Sequence, residues 1–492
     1  MDTLHPFAQE QLAEGIARWP KTLETCLQRA KLFSDLQIKL SETNTLSIQF
    51  EELQSAVHKL EPLLRESTAT EKEGYDQICF QGSPWSGLNS IPFALVILSI
   101  YKSYIIPAFG ILLPFVTWIL PYILLKAVYN IPISFSDYSK IMWRMWNGGG
   151  LPRTPAEFMN PPVLVEEDIT IRLRRIVQNG WTIFTVGQAV WQPIQQSRHF
   201  MRLDTTCLEL GKSIVCVKGI SENIYRDWSK WLPPWLASWI PLCPTDIRQA
   251  FAFANDYPLW LRFTLRALGR FEVIWRLASR SDVVPAEFVK SDKPILMLKD
   301  FGDPSIPIEK RIVSSIRLDG HSILTGPNRG GKSSFLRGIV TNVRYAHAFG
   351  AVFAKKGQMS HFTWIADGMR LDDTPGKTSM FEREVGFASS VLNKRDGCGL
   401  VLYDELFHST NPPDATRTSQ AFCNFLWKKD NCISVISTHI YSLANGAPES
   451  VKRLCVGAWK DKNCFKFSYK VQKGVCEVSS VDLLLKQFNL LI

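Results

Sequence analysis

Gly326-Pro327-Asn328-Arg329-Gly330-Gly331-Lys332-Ser333 has the residue types and spacing that suit the binding of a phosphate chain. It fits the pattern G-x-x-x-x-G-K-[ST], in which glycines let the backbone curl so that successive N–H groups face phosphate oxygens. Lys332 would reach the β- and γ-phosphates, and the Ser333 hydroxyl would bind Mg²⁺. The flanks agree with this reading. Ile323-Leu324-Thr325 reads as a short strand, and Ser334 opens a stretch to Val340 compatible with a helix. A nucleoside triphosphate is the expected ligand.

Hydrolysis needs a carboxylate for the metal at a strand end and a group that orients water. Gly399-Leu400-Val401-Leu402-Tyr403-Asp404-Glu405 is an apolar strand that ends in adjacent acids. Asp404 would hold Mg²⁺ through water, and Glu405 would position or activate the nucleophile. Ile433-Ser434-Val435-Ile436-Ser437-Thr438-His439 is a second apolar strand, ending in a histidine placed to sense the γ-phosphate. Alone, His439 reads equally well as a plain strand-end histidine; its order after the two earlier motifs gives it meaning.

Thr325–Ser333 resembles the TGPNxGGKS loop of MutS-type ATPases, and its Pro327-Asn328 pair is far more specific than the generic pattern. Phe362-Thr363, Asp372-Asp373 and Ser379-Met380-Phe381-Glu382-Arg383-Glu384 are similar to that family's intervening segment. Thr410 and Asp414 match the loop after the acid pair, Ser437-Thr438-His439 the final switch, and Phe467–Gly474 the closing β-hairpin. The resemblance covers about residues 295–475 and extends weakly into Leu268–Ala278, where the family has lever helices. It implies an ATP hydrolase using ATP and Mg²⁺ and working as a homodimer with composite sites. Catalysis would fall to Lys332, Glu405 and His439, and Mg²⁺ to Ser333 and Asp404. ATP would be held by Pro327, Asn328, Gly330, Gly331, Lys332, Ser333 and Ser334, with Ser379 completing the partner subunit's site. DNA is the ligand the family suggests.

Departures count too. Where the family usually has glycines after the acid pair, this chain has Phe407-His408-Ser409, so altered composite geometry and turnover are expected. No counterpart of the mismatch-reading module with its Phe-x-Glu wedge is evident. Residues 150–290 are too few for full levers and a DNA clamp, and after residue 475 no room is expected for the family's C-terminal dimer brace.

These motifs need elements to position them. The 492 residues predict two to four domains, and a hydrophobic content of 46% allows sizeable cores. A net charge of +10 admits anionic partners without marking a nucleic-acid binder. Eleven scattered cysteines without a C-x-x-C pair argue for a reducing compartment rather than a disulfide framework or zinc site. The start of the chain lacks a signal-peptide pattern. The expected organisation is a soluble helical region over 1–90, a transmembrane segment over 91–128, a helical lever-like domain over 150–293, and the ATPase over 294–492. The fold class expected is thus an α/β P-loop NTPase (ABC/MutS-type) C-terminal domain preceded by a mostly α-helical region with a transmembrane helical hairpin. Within 155–290, Leu261, Leu265, Leu268, Phe271, Trp275 and Ala278 recur at helical spacing. Asn147–Pro152 reads as a flexible joint.

Ile105–Leu125 carries no charge over 21 residues, long enough to span a hydrocarbon core of ~30 Å. Pro107-Ala108-Phe109-Gly110 reads as a turn, which would divide Ile91–Val128 into a membrane hairpin and keep the ATPase on the cytosolic side with the N-terminal region. Lys126, Lys140 and Arg144 suit a cytosolic flank. Trp228, Trp231, Trp235 and Trp239 would share one face of a helix, as core or as a membrane-interface stripe. Arg172, Arg174, Arg175, Arg198 and Arg202 suit phosphates of DNA, lipid headgroups or plain solvent. The reading is an integral membrane MutS-like ATPase in DNA-related work, with membrane lipid, a second copy and DNA as partners. A membrane-associated ATPase switch acting on a lipid or protein partner is the alternative.

Overall fold

Strands His321–Thr325 (β4), Gly399–Tyr403 (β8) and Cys432–Ser437 (β9) are buried at every position, as the inner strands of a parallel sheet must be. The computed structural model describes residues 4–18, 20–40, 46–65, 68–82, 84–146, 169–291, 293–369, 379–461 and 464–477. The expected joint at 147–152 and Asp372-Asp373 lie outside them. The described chain divides into two compact units, one of residues 1–50, 230–233 and 265–492, the other of 51–229 and 234–264.

The first unit holds two sheets. Val284–Val289 (β1), Leu296–Phe301 (β2), Ser314–Leu318 (β3), Ala351–Val352 (β5) and Lys356–Ser360 (β6) form one, in the order β3-β2-β6-β1-β5. The other runs β11-β10-β4-β9-β8-β7, with Trp364–Gly368 (β7), Lys452–Asp461 (β10) and Cys464–Lys473 (β11). In it β7, β8, β9, β4 and β10 are parallel, and β11 returns antiparallel along β10. The register pairs Leu324 with Ser437 and Tyr403 with Ile436, so β4, β8 and β9 all end at one edge of the sheet. Ligand sites in α/β folds form at that edge. Leu324, Leu400, Ile433, Leu296 and Met359 share one core with Leu336 and Ile339 of the helix that follows β4.

The β-rich region begins at Val284 and the N-terminal helices belong to the same unit, so the division falls differently from the expected boundaries at 90 and 294. Pro6–Ala17 (α1) and Leu23–Leu40 (α2) pack on the helix after β4, where the Arg29 guanidinium donates to His347 O (2.6 Å).

In the second unit, Pro92–Ala127 (α3) is continuous, with a single π-helical turn at Tyr101–Ile105. The turn expected at Pro107–Gly110 is absent. Pro107 has no N–H to offer Ser103 O four residues back, but the Ser197 hydroxyl donates to that carbonyl (2.6 Å), so the helix continues. Ser197 lies on Ile169–Trp228 (α4), a helix of 60 residues packed along α3. The four tryptophans do not share a face. Trp228 closes α4 and is buried; past Pro233-Pro234 Trp239 exchanges hydrogen bonds with Trp260, and Trp235 is exposed. Trp231 donates to Leu32 O within the first unit. The periodic run near 259–278 is borne out as Pro258–Ala278 (α5), with Leu261, Leu265, Leu268 and Phe271 buried.

Candidate active site

The loop after β4 turns through two glycines with positive φ, Gly326 (147°) and Gly331 (100°), before Lys332–Phe349 (α6) begins at Lys332. Gly331 needs that freedom, since side-chain-bearing residues rarely adopt such a φ. Lys332 is buried, and its ammonium donates to Gly326 O (3.0 Å) and Pro327 O (3.2 Å). Burial pulls its pKa below the usual lysine range, against the opposing charges of Glu405 and Asp404. The side chain therefore bends back over its own loop.

The other two motifs meet it. His439 Nε2 lies 3.2 Å from Lys332 Nζ and 3.3 Å from Glu405 Oε1. One nitrogen thus faces an ammonium and a carboxylate, and the position of its proton decides which it bonds. The hydrogen bond from His439, then its charge and those of Lys332 and His408, outweighs burial and holds the Glu405 carboxyl below the ordinary glutamate range. Glu405 has φ 55° and Phe407 φ 52°, so the chain turns sharply past the acids. Ser437 fixes that turn: its hydroxyl donates to Asp404 Oδ1 (2.5 Å) and accepts from the Glu405 N–H (2.9 Å). Buried Glu384 then holds the next loop, accepting from the Ser409 hydroxyl and from His408 Nδ1 (3.0 Å).

A cavity of about 390 Å³ opens over the loop. Pro327, Asn328, Gly330, Gly331, Lys332, Ser333, Ser334 and Glu405 line it. Asp404 and His439 sit behind, tied to that lining through Ser437, Glu405 and Lys332. Ser379 does not line it. It caps Met380–Leu392 (α7), accepting from the Glu382 N–H (3.2 Å) while Glu382 reaches back to the Ser379 N–H (2.9 Å). Phe301, Ile312 and Tyr469 also line the cavity; Phe301 and Ile312 were not singled out from sequence, and Tyr469 was marked only as part of the Phe467–Gly474 hairpin. No local pattern places them at the cavity, since β2, the loop before β3 and β11 meet the Gly326–Ser333 loop only in the folded chain. Among the described residues Cys26, His347 and His361 cluster as metal ligands would. Burial keeps the Cys26 thiol protonated, at about 11, and both His347 nitrogens are engaged, Nδ1 on Val343 O and Nε2 by the Phe362 N–H. That cluster is core.

The family described as MutS domain V matches residues 322–483, from β4 through β11. Over these residues the chain is similar to the MutS family. DNA mismatch repair protein spellchecker 1 of Drosophila melanogaster is 26% identical over 220 residues, covering 42% of this chain and 24% of its own length. DNA mismatch repair protein MutS of Prochlorococcus marinus is 29% identical over 159 residues, 31% of this chain and 17% of that protein. DNA mismatch repair protein MSH1, mitochondrial, of Arabidopsis thaliana is 30% identical over 162 residues, with shares of 32% and 14%. The chain spans less than a quarter of the length of each of these relatives. What it shares with these relatives is the region that carries the loop, the acid pair and His439.

Proposed function

We propose that this MutS-family chain binds Mg²⁺-ATP in the cavity over the Gly326–Ser333 loop and hydrolyses it. The observation that carries the reading is the meeting of Lys332, Glu405 and His439 within 3.3 Å steps at the ends of β4, β8 and β9. The loop suits a triphosphate: a Cβ on Gly330 would stand 3.0 Å from Pro327 O, and the Lys332 ammonium supplies a buried cation at its floor. Ser333 and Asp404 are the residues to hold the magnesium ion, which when bound neutralises phosphate charge. Pro327, Asn328, Gly330, Gly331 and Ser334 cradle the phosphates, Glu405 orients and deprotonates the attacking water, and His439 follows the charge between Glu405 and Lys332. Phe301, Ile312 and Tyr469 offer apolar and aromatic surface to the base.

Two chains would work together, the capped start of α7 with Ser379 facing the γ-phosphate held by the partner. Mismatch-repair-related work on DNA is the setting its relatives' names support. Lys332→Ala tests the site directly: ATP binding is expected to fall by at least tenfold, and unchanged binding would refute the assignment. DNA contact through basic side chains predicts affinity falling steeply between 50 and 200 mM salt, on the order of 10³-fold for six phosphate contacts. Absence of binding at low salt would remove DNA from the reading.

A further inference from the structure

The second unit holds two stretches of helix without charge, and the packing sets them side by side. Ile105–Leu125 on α3 has 21 uncharged residues. Ile176–Ser197 on α4 has 22, from the residue after Arg175 to the residue before Arg198. Two contacts fix their register. Ser197 bonds to Ser103, and a Cβ on Gly110 would touch the Pro193 ring at 2.8 Å, so the helices run antiparallel. Extended along the pair, this register sets Lys102 level with Arg198 and Lys126 level with Arg174 and Arg175. The two uncharged stretches coincide end to end.

At 1.5 Å per residue they measure ~31 and ~33 Å, against a hydrocarbon thickness of ~30 Å. Both turn apolar side chains outward, with Phe109 70%, Leu113 60%, Val177 69% and Ile183 69% exposed. Aromatics mark the ends: Tyr101 and Tyr104 at one, Trp118, Tyr122 and Trp181 at the other, where they suit a membrane–water interface. Amides at Gln178, Asn179, Gln188, Gln192, Gln195 and Gln196 make the α4 stretch the more polar one, and amides in a bilayer pair with neighbouring helices.

We propose that α3 and the N-terminal half of α4 cross a lipid bilayer together as an antiparallel hairpin. The helical segment Phe135–Trp146 then lies on the far side. Residues 1–101 and 198–492, with the ATP site, share the near side. This moves the hairpin's return from residues 107–110 to the segment after Val128, and it puts Lys140 opposite the ATPase.

The test uses the full chain made in membranes. In flotation after an alkaline carbonate wash, it is expected to rise with lipid; recovery at the bottom of the gradient would overturn the proposal. Sidedness is read with a membrane-impermeant maleimide in sealed vesicles, on a background with Cys216, Cys398 and Cys464 changed to serine. Lys31→Cys and Lys428→Cys are expected to label from one side, and Ser136→Cys from the other alone. Labelling of all three from one side would mean a hairpin lying on the surface, and opposite labelling of Lys31→Cys and Lys428→Cys would mean one span. Either result overturns the proposal. Detergent should expose all three sites and so verifies that each variant reacts.

Discussion

Lys332, Glu405 and His439 were legible in the sequence because each closes a strand or opens a helix inside its own short motif. Their contacts were not, since a single His439 nitrogen between an ammonium and a carboxylate exists only once β4, β8 and β9 lie in register. On the function proposed above, Glu405 is the water-orienting base. Glu405→Gln is expected to keep ATP binding and to lower turnover by roughly 10²-fold or more, the range general-base catalysis supplies. Equilibrium nucleotide binding beside phosphate release would check both halves, and wild-type turnover would displace Glu405 from the role. The pH profile follows the same contacts. Hydrogen bonding from His439 is the first cause of the depressed Glu405 pKa, so the carboxylate stays ionised well into acid. His439→Ala removes that cause. The acid limb of the residual kcat profile should move up towards the ordinary glutamate value of about 4.3.

Elements explain what residues alone left hidden. Pro107 reads as a helix end in sequence, but Ser197 satisfies the carbonyl it strands, and only the packing of α3 along α4 supplies that donor. The α4 stretch was passed over for a related reason: six amides mask a run without charge. Ser379 was read from a resemblance, and the structure adds that it builds a capping box at the exposed start of α7. Ser379→Ala should cost α7 about 1 kcal/mol, read as a small fall in Tm. Ser379→Asp separates capping from phosphate contact. An aspartate caps as well as a serine, so Tm should hold, while a carboxylate aimed at the partner's γ-phosphate should cut turnover at least tenfold. Turnover that tracks Tm in both variants would leave Ser379 a cap alone. Gly350 tests the place of the N-terminal helices in the first unit. It ends α6 at φ 74°, and a Cβ there would stand 2.5 Å from the Ala30 backbone. Gly350→Ala should destabilise the unit by about 2 kcal/mol or more in urea unfolding, and an unchanged midpoint would detach α2 from it.

At the scale of the whole molecule, three buried histidines tie the stability of the first unit to pH. His347 donates from Nδ1 and accepts at Nε2, and burial, the largest cause, lowers it to about 3. Burial and then the charge of Arg276 lower His5 to about 4. His321, at the head of β4, is lowered as well, burial again outweighing its bond to Lys429 O. In the unfolded chain each would titrate near 6.5, so between that pH and the folded values the unfolded state binds more protons. Stability from these groups is whole above about 6.5 and is lost as pH falls. His5 alone accounts for roughly 3 kcal/mol across its shift, a large share of the 5–15 kcal/mol typical of a domain. Glu272, against His5, acts in the other direction: burial raises its carboxyl above the usual carboxylate range, so there the folded state takes up that proton first. The expected result is a urea midpoint that falls steadily from pH 6.5 towards 4, a decline that begins well above the range where surface carboxylates titrate. His5→Gln should flatten the slope by about 1.4 kcal/mol per pH unit at mid-range, one proton's worth. A midpoint level down to pH 4.5 would mean that these histidines are protonated in the folded protein.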